Sequence, residues 1–183
     1  MCTRASRDPD HSIAVSVAPL SANSGSDAVS AATSSLRELA ASDPEFADSG
    51  ATLTAMLWSG SRLALVHIGD SRAYLLRDGG LFQITHDHSV VQSLIDAGRL
   101  TPEEAVTHPQ RSLHEALAGD RYLLCSDGLT SVVPVATIRE TLSALESSPE
   151  TVVRRLIELA NTAGGPDNIA CVVADVTEAA GTT

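Results

Sequence analysis

Short apolar runs separated by glycine-containing turns predict a set of β-strands through the middle of the chain. Four such runs follow one another closely: 51–58, 62–68, 73–76 and 81–84. The residues between them are typical of turns, among them Ser59-Gly60-Ser61 and Asp78-Gly79-Gly80. This arrangement predicts a meander of antiparallel strands.

The second of these runs is apolar on both of its faces. Side chains alternate between the two faces of a strand, yet Leu63-Ala64-Leu65-Val66 has no polar residue at either set of positions. An antiparallel strand of this kind must be covered on both sides. We therefore expect helices on one face of the sheet and a second sheet on the other.

Apolar residues at helical spacing, or residues typical of a helix start, predict helices around these strands. The segments with this pattern are 27–41, a helix that starts near Asp87, a second start at 101–104, and the stretches 134–146 and 149–163. Gly98 suits the end of the helix that starts at Asp87, and His108-Pro109 predicts a loop. Two later apolar runs, 121–125 and 169–176, predict further strands.

Composition divides the chain into one domain and two short ends. Residues 1–24 are rich in Ser, Ala, Asp and Pro, and we predict that they are disordered or lie outside the domain. Residues 25–178 form the predicted domain and 179–183 a tail. A chain of 183 residues suits one domain with one sizeable core.

The charge of the chain argues against nucleic acid as a partner. Its formal net charge is -11, and all 12 basic residues are arginines. Such a surface repels a phosphate backbone, and an aromatic content of 3 % leaves few side chains to stack on bases. No stretch approaches the about 20 consecutive apolar residues of a membrane span, so we expect no membrane partner either.

The cysteines Cys2, Cys125 and Cys171 indicate a reducing compartment. Three cysteines cannot all pair, none has C-x-x-C spacing, and two lie in apolar runs. We interpret Cys125 and Cys171 as reduced, buried thiols and place the protein in the cytoplasm.

Three aspartates stand where an apolar strand meets a glycine-containing turn. Asp70 follows the run 62–68, Asp127 follows 121–125, and Asp167 precedes 169–176. If those strands are neighbours, the three carboxylates converge at one edge of a sheet. Convergent carboxylates repel one another unless a cation lies between them, and an all-oxygen site suits Mg²⁺ or Mn²⁺.

Each of these aspartates also has a simpler interpretation. Asp in an Asp-Gly or Pro-Asp-Asn sequence is ordinary turn chemistry, and taken singly each is more often a turn residue than a ligand. The occurrence of all three in the same kind of place favours a metal site.

Other polar residues are weaker candidates for chemistry. His86 and His88 flank Asp87 in His-x-His spacing, but no further ligands follow at metal-site spacing, so we prefer a helix start. His67 lies in an apolar strand and fits a core histidine. Ser126 precedes Asp127, yet the sequence has no nucleophile elbow and no paired base.

Two arginines have two interpretations. Arg72 and Arg111 could each hold a phosphate, but single arginines more commonly form surface salt bridges. The Gly-Gly-Pro-Asp turn lacks the lysine of a phosphate-binding P-loop, so that type of site is not predicted.

Taken in order, several segments resemble the bacterial branch of the type-2C (PPM) metal-dependent serine/threonine protein phosphatases. The matching segments are 50–55, 66–74, 85–89, 98–105 with 108–112, 119–129 and 165–169. The most recognisable are Val66-His67-Ile68-Gly69-Asp70-Ser71-Arg72 and Leu123-Leu124-Cys125-Ser126-Asp127-Gly128. The resemblance covers about residues 29–177.

The resemblance implies both a fold and a reaction. The fold is α+β, an α-β-β-α sandwich of two antiparallel sheets flanked by helices, which is incomplete in this chain. The implied reaction is hydrolysis of phosphoserine or phosphothreonine in proteins by a metal-activated water, so no side chain is expected to act as nucleophile. The implied cofactors are two Mn²⁺ or Mg²⁺ ions, with a third possible. The implied partners are phosphoproteins of a signalling pathway with a cognate serine/threonine kinase.

The resemblance also assigns roles to particular residues. Asp127 matches a metal ligand shared between sites, Asp167 a ligand of the main metal pair, and Asp70 a ligand of a third, weaker metal. The supporting turns are implied to depend on Gly69, Gly128 and Asn168.

Two features depart from the family pattern. No part of residues 1–28 matches the family's early block, which ends in Asp-Gly-Met-Gly-Gly and supplies a phosphate-binding arginine and the aspartate that bridges the two metals. In addition, Leu113–Ala118 runs almost directly into Gly119-Asp120, so at least one strand is expected to be missing from one sheet.

These departures leave three interpretations open. The chain is an active phosphatase, a catalytically dead member that binds phosphoproteins or another partner, or a gene fragment. Because a central ligand is missing, we predict low or no phosphatase activity in the isolated chain. The missing strand should also expose apolar faces and sheet edges.

Overall fold

Two antiparallel sheets and a set of helices make up the described part of the chain. The computed structural model describes residues 3–5, 52–87, 110–144 and 147–178. The strands in these residues are β1 (Thr3–Ala5), β2 (Leu53–Ser59), β3 (Arg62–Ile68), β4 (Arg72–Arg77), β5 (Gly80–Gln83), β6 (Gln110–Glu115), β7 (Arg121–Cys125) and β8 (Ile169–Asp175). The helices are α1 (Asp127–Thr130), α2 (Val135–Leu142) and α3 (Pro149–Thr162).

The strands divide between a five-stranded and a three-stranded sheet. The five-stranded sheet has the order β1-β8-β7-β4-β5, and the three-stranded sheet has the order β2-β3-β6. Every neighbouring pair is antiparallel. Two antiparallel sheets with helices are the predicted α+β sandwich, so the fold class is confirmed.

Strand β7 separates two apolar cores. All five of its residues are buried. Leu123 and Cys125 pack in the core that β8, α2 and α3 share, whereas Tyr122 and Leu124 pack in the core that includes Leu63 of the other sheet. Full burial of one large apolar side chain is worth about 1.5–3 kcal/mol, so covering both faces of this strand is a main source of stability.

The four strands predicted as one meander belong to two different sheets. β2 and β3 form a hairpin in the three-stranded sheet, and β4 and β5 form another in the five-stranded sheet. The prediction of a single meander is therefore wrong. The chain crosses between the sheets at Gly69-Asp70-Ser71, and apolar runs locate strands without saying which sheet each one joins.

The β4–β5 turn has the backbone that its sequence predicts. Asp78 and Gly79 both have positive φ, 50° and 72°. Two such residues between paired strands form the type I′ turn favoured in two-residue hairpins, where Asp-Gly is a preferred sequence.

Helix α3 begins at residue 149, as its pattern of apolar residues predicts. Ser148 accepts a hydrogen bond from the Thr151 N–H at 3.3 Å, and Pro149 is the first helical residue. The buried side of the helix contains Val152, Val153, Leu156 and Ala160.

Helix α2 is shorter than the predicted stretch 134–146. It ends at Leu142, whose carbonyl oxygen accepts a hydrogen bond from the Arg121 guanidinium at 2.9 Å. The same guanidinium reaches the carbonyl of Ala144 at 3.4 Å. A side chain of β7 therefore satisfies carbonyls at the end of α2, a long-range contact that helical periodicity does not reveal.

Several predictions fall on other parts of the chain. Four predicted segments lie outside the described residues: the helix 27–41, the helix body after Asp87, the helix start at 101–104 and the tail 179–183. Within the segment 1–24, which we predicted to be disordered or to lie outside the domain, Thr3–Ala5 pairs with β8 as strand β1. Strand β6 was not predicted as a strand.

None of the helices in the described ranges is long and apolar enough to cross a bilayer. Cys125 and Cys171 are buried, as predicted.

Candidate metal centre

Asp70 lies in the segment that crosses from one sheet to the other. The preceding Gly69 has a φ of +104°, and a Cβ added there would lie 2.4 Å from Cγ2 of Thr52. Glycine is therefore required both by the backbone conformation and by the close approach of β2. On the other side of Asp70, the Ser71 hydroxyl is 2.7 Å from the Thr52 hydroxyl. Thr52 thus contacts the segment on both sides of Asp70.

Asp127 is the first residue of α1, directly after β7. The preceding Ser126 is buried, donates a hydrogen bond to the Asn168 carbonyl at 2.9 Å and accepts one from the Ala170 N–H at 3.1 Å. Its own N–H donates to the Ala170 carbonyl. Ser126 therefore joins the end of β7 to the start of β8, which fixes where Asp127 begins.

Asp167 lies in the turn that enters β8, against the start of α1. A Cβ added at Gly128 would lie 2.4 Å from the carbonyl oxygen of Asn168. Only a glycine allows the two backbones to approach this closely. Asp167 also accepts a hydrogen bond from the Asn168 N–H at 2.6 Å, which shapes the turn. Gly128 thus brings the segment of Asp127 against that of Asp167.

Strand pairing brings the three segments to one end of the five-stranded sheet. Arg72 at the start of β4 pairs with Cys125 at the end of β7, and Cys125 pairs with Cys171 near the start of β8. The turns at these strand ends therefore lie side by side. They carry the three predicted aspartates: Asp70, Asp127 and Asp167.

The expected route to this convergence was only partly right. The convergence was predicted on the condition that the strands next to the aspartates are neighbours, and β7 and β8 are. Strand β3, which precedes Asp70, belongs to the other sheet. Asp70 reaches the site because the next strand, β4, pairs with β7.

The charges of Asp70 and Asp167 act on Asp127. Burial raises the pKa of Asp127 above its ordinary value of 3.8, and the negative charges of Asp70 and then Asp167 raise it further. Hydrogen bonds from backbone N–H groups offset part of this effect. Asp127 is half-buried, whereas Asp70 and Asp167 are exposed. This is the arrangement in which a bound cation relieves repulsion.

The donor set fits a hard divalent cation that keeps part of its water shell. All of its side-chain donors are carboxylate oxygens, which Mg²⁺ and Mn²⁺ prefer. Among the residues that the structure describes, no three His, Cys, Asp or Glu side chains lie close enough to hold a single ion together. That Asp70, Asp127 and Asp167 hold a metal ion therefore stays a prediction.

Arg72 forms a salt bridge with Asp87 and is not directed to a ligand. Its Nε lies 3.1 Å from both Asp87 oxygens, and its Nη2 lies 2.7 Å from Oδ2. Of the two interpretations of Arg72, the structure favours the salt bridge. Asp87, which was predicted only as a helix cap, therefore has a further role. Its pair with Arg72 joins the segment after β5 to the start of β4.

The weaker candidates have structural roles or lie outside the described side chains. His67 is buried, and its Nδ1 lies 3.0 Å from the Thr54 hydroxyl, as a core histidine requires. Ser126 uses its hydroxyl for the backbone contacts described above and is not placed as a nucleophile. His86 is exposed, and the side chains of His88 and Arg111 lie outside the described part.

Sequence reasoning found the aspartates and glycines but missed the contacts that hold them. The hydroxyl pair between Thr52 and Ser71 and the salt bridge between Arg72 and Asp87 both join segments distant in sequence. The Gly-Ala-Thr and Thr-His-Asp-His-Ser segments were recognised as family patterns, but their residues were given no contacts. The resemblance of those segments to the family pattern was the signal that could have pointed to these contacts.

Comparison with known proteins agrees with this architecture. Residues 10–173 match the family described as Protein phosphatase 2C. The match begins inside the segment 1–24, and the domain boundary at residue 25 stays a prediction. The serine/threonine protein phosphatase PstP of Mycobacterium tuberculosis is 52% identical over 167 residues, which are 82% of this chain and 32% of that protein. The protein phosphatase PhpP of Streptococcus pneumoniae is 35% identical over 74% of this chain and 62% of its own length.

Solved structures extend the likeness to three dimensions. The crystal structure of M. tuberculosis PstP has a TM-score of 0.70 with 48% identity, and covers 84% of this chain and 71% of that one. The catalytic domain of PstP in complex with two manganese ions has a TM-score of 0.68 with 49% identity, covering 79% and 66%. This chain spans about a third of the length of full PstP. With most of its length matched in sequence and in fold, the chain belongs to the protein phosphatase 2C family.

Proposed function

We propose that this chain carries a metal-dependent site for hydrolysing phosphoserine or phosphothreonine in proteins. The observation that carries the proposal is that strand pairing brings the segments of Asp70, Asp127 and Asp167 to one end of the five-stranded sheet. The charges of Asp70 and Asp167 there make ionisation of Asp127 less favourable. Such a cluster is stabilised by a divalent cation. The relatives are named as serine/threonine phosphatases, and one solved relative holds two manganese ions.

In this proposal the three aspartates divide the work of holding metal. Asp127 and Asp167 hold the main ions, and Asp70 holds a third, weaker one. Bound Mn²⁺ or Mg²⁺ would supply Lewis acidity that activates water and neutralises the charge of a phosphate ester. Gly128 and Ser126 fix the spacing of Asp127 and Asp167, and Gly69 with Thr52 fixes the segment of Asp70.

The activity of this chain is proposed to be low. The sequence lacks the family's Asp-Gly-Met-Gly-Gly block, whose aspartate bridges the two central metals. Loss of a direct ligand should weaken metal binding beyond the about 10–100-fold that follows from losing a group that only orients a ligand. The carboxylates that remain should bind metal weakly and turn over substrate slowly.

The proposed substrates are phosphoproteins of a pathway with a serine/threonine kinase, and the proposed compartment is the cytoplasm. Cys125 and Cys171 are buried in apolar strands, opposite each other on β7 and β8. Buried cysteines of this kind are typical of proteins from a reducing compartment.

Metal binding is the direct test of the site. Titration of Mn²⁺ into the protein, followed by calorimetry, should give saturable binding that Asp127→Asn weakens by more than about tenfold. Asp78→Asn is the matched control, because Asp78 lies exposed in the β4–β5 turn and should leave binding unchanged. If the unsubstituted chain binds no Mn²⁺, or if both variants bind as it does, the proposed metal centre is wrong.

Hydrolysis of a phosphothreonine peptide in Mn²⁺ tests the reaction. We expect slow turnover that Asp127→Asn abolishes and Asp78→Asn does not. Fast turnover lost in Asp127→Asn would support the phosphatase and contradict the expected impairment. Phosphopeptide binding with no turnover at any Mn²⁺ concentration would contradict hydrolysis and support a binding module.

A further inference from the structure

Strand β6 ends the three-stranded sheet. It pairs with β3 over Gln110 to Glu115, and in the described part of the chain no strand pairs with its other side. The chain then leaves the sheet within a few residues, through 116–120, to enter β7 of the other sheet. Among the described residues this edge of β6 is unpaired, and an unpaired strand edge can accept a partner strand.

The phase of the β3–β6 ladder shows which backbone groups face that open edge. The Ala116 N–H donates to the Ser61 carbonyl at 2.8 Å, just beyond the pair Arg62–Glu115. In an antiparallel ladder this bond marks Arg62 and Glu115 as a non-hydrogen-bonded pair. Because the two kinds of pair alternate, residues 111, 113 and 115 direct their N–H and C=O groups away from β3.

The sequence of this edge is self-complementary in one antiparallel register. Two copies of Arg111-Ser112-Leu113-His114-Glu115 can align with Leu113 opposite Leu113. Position 111 then stands opposite position 115 of the other copy, so the register aligns an arginine position with a glutamate position twice. The outward-facing N–H and C=O groups of the two copies can bond to each other only if odd-numbered positions stand opposite odd-numbered positions. The register with Leu113 opposite Leu113 meets this condition. Opposite charges and apolar pairs directly across a ladder are stabilising.

We propose that β6 is a homodimer interface, in which the edge strands of two copies pair antiparallel about Leu113. Leu113 is 75% exposed and Leu117, just beyond the strand, is 43% exposed. A two-fold axis through Leu113 brings the two Leu113 side chains together on one face. The six-stranded sheet that results has no open β6 edge. This inference does not depend on the proposed phosphatase activity.

One contact limits the length of the pairing. The Glu115 carbonyl already accepts a hydrogen bond from Arg77 at 2.8 Å. Arg77 is in turn held by two bonds to Asp120, each 2.7 Å. The central Leu113 pair and the Glu115 N–H stay available, which leaves about four new backbone hydrogen bonds. An interface of this size is below that of stable complexes, so we expect a reversible dimer with a Kd on the order of 10–100 µM.

Sedimentation equilibrium across protein concentrations tests the dimer. The unsubstituted chain should fit a monomer–dimer equilibrium. Leu113→Pro should raise the Kd by more than about tenfold, because proline removes the outward N–H of the central pair and no N–H that β3 uses. Leu113→Thr is the matched control for that loss, since it keeps the N–H and a β-branched side chain and should weaken the dimer less.

A charge exchange keeps the test decisive if the proline variant fails to fold. Glu115→Arg should weaken the dimer about tenfold, because two arginine–arginine pairs replace two opposite-charge pairs. The double variant Arg111→Glu/Glu115→Arg should return the Kd to within about threefold of the original. A chain that stays monomeric up to about 0.5 mM overturns the proposal. So does a dimer whose Kd is unchanged by Glu115→Arg, or one that the double variant does not restore.

Discussion

The two ends of β7 differ in how their charged side chains are surrounded. At its start, Arg121 is 5% exposed and Asp120 just before it is 2% exposed, and both are paired with oppositely charged groups. After its last residue, Asp127 lies near two other carboxylates, and no salt bridge within the described residues neutralises it. One strand of five residues therefore joins a paired end to a like-charged end.

The contrast separates stability from function. The Arg77 guanidinium and the Leu117 N–H outweigh burial and hold the pKa of Asp120 below its ordinary value. At the other end, burial and like charges raise the pKa of Asp127. A group that is easier to ionise in the folded state stabilises the fold, and one that is harder to ionise costs stability until a ligand arrives. Functional sites commonly carry such a cost.

The largest expected effect comes from removing the cation of the paired end. Arg121 makes two hydrogen bonds to Asp175, at 2.5 and 2.8 Å, and reaches carbonyls at the end of α2 and of Ser147. Arg121→Met keeps most of the volume but leaves these acceptors without their donor. We expect a loss of about 4 kcal/mol in the free energy of unfolding, measured in urea.

An exposed arginine provides the control. Arg154 is 69% exposed on α3 and pairs with Glu150 one helical turn away. Arg154→Met should change the free energy of unfolding by less than about 0.5 kcal/mol. Equal losses in the two variants would mean that the paired end of β7 is not a special source of stability.

The sequence predicts the groups at one end of β7 better than those at the other. The like-charged end follows from local patterns, because Asp127 and Asp167 each adjoin an apolar run and a glycine turn. The paired end depends on partners far apart in the chain: Arg77 with Asp120, and Arg121 with Asp175. No local pattern identifies such partners. For Arg121 the sequence predicts only that it is the first residue of an apolar strand.

The strands show the same difference between features that local sequence predicts and features that depend on distant partners. The runs 62–68 and 121–125 were predicted with the observed bounds, because they are apolar and bounded by turns. Strand β6 was missed because Gln110–Glu115 contains one apolar residue. It is a strand because β3 presents an edge that it can pair with, and pairing with a distant segment overrides weak local preference.

The second prediction concerns Asp120 and acid. Its carboxylate accepts two bonds from Arg77, one from the Leu117 N–H at 2.8 Å and one from the Tyr122 hydroxyl at 3.3 Å. Burial, and then the Asp120 charge, raise the pKa of Tyr122 to about 12, so this hydroxyl stays a donor. Asp120→Asn should cost about 3 kcal/mol at pH 7, because the partly exposed Arg77 guanidinium loses its buried, charged acceptor.

The pH dependence gives this prediction a second measurement. The folded pKa of Asp120 lies below its ordinary value of 3.8, so its contribution is complete above pH 3.8 and is lost as the pH falls through the lower folded value. The unsubstituted chain should therefore lose stability below about pH 4 more steeply than Asp120→Asn. Urea unfolding at several pH values measures this. Parallel curves for the two proteins would contradict the pairing of Asp120 in the folded state.

The third prediction concerns the glycine that joins the like-charged end to β8. The added Cβ of Gly128→Ala would meet the Asn168 carbonyl, so α1 must move away from the turn that carries Asp167. We expect a loss of about 2 kcal/mol in unfolding free energy and weaker Mn²⁺ binding. The control is Gly60→Asn, at a φ of +60° with no atom within 4 Å, which asparagine tolerates. Unchanged Mn²⁺ binding in Gly128→Ala would mean that the spacing of Asp127 and Asp167 is not critical.

The smallest expected effect has the opposite sign. Because the folded pKa of Asp127 is raised, its ionised form destabilises the metal-free fold at neutral pH, and stability is regained as the pH falls through that raised value. Asp127→Asn should therefore stabilise the metal-free protein, by about 0.5 kcal/mol after solvent screening of a half-buried group. Saturating Mn²⁺ should reverse the order, since a ligand that binds only the folded state stabilises the original chain and not the variant. Thermal unfolding with and without Mn²⁺ measures both. A variant that is less stable than the original chain without metal would mean that Asp127 supports the fold, and the two ends of β7 would then no longer differ in kind.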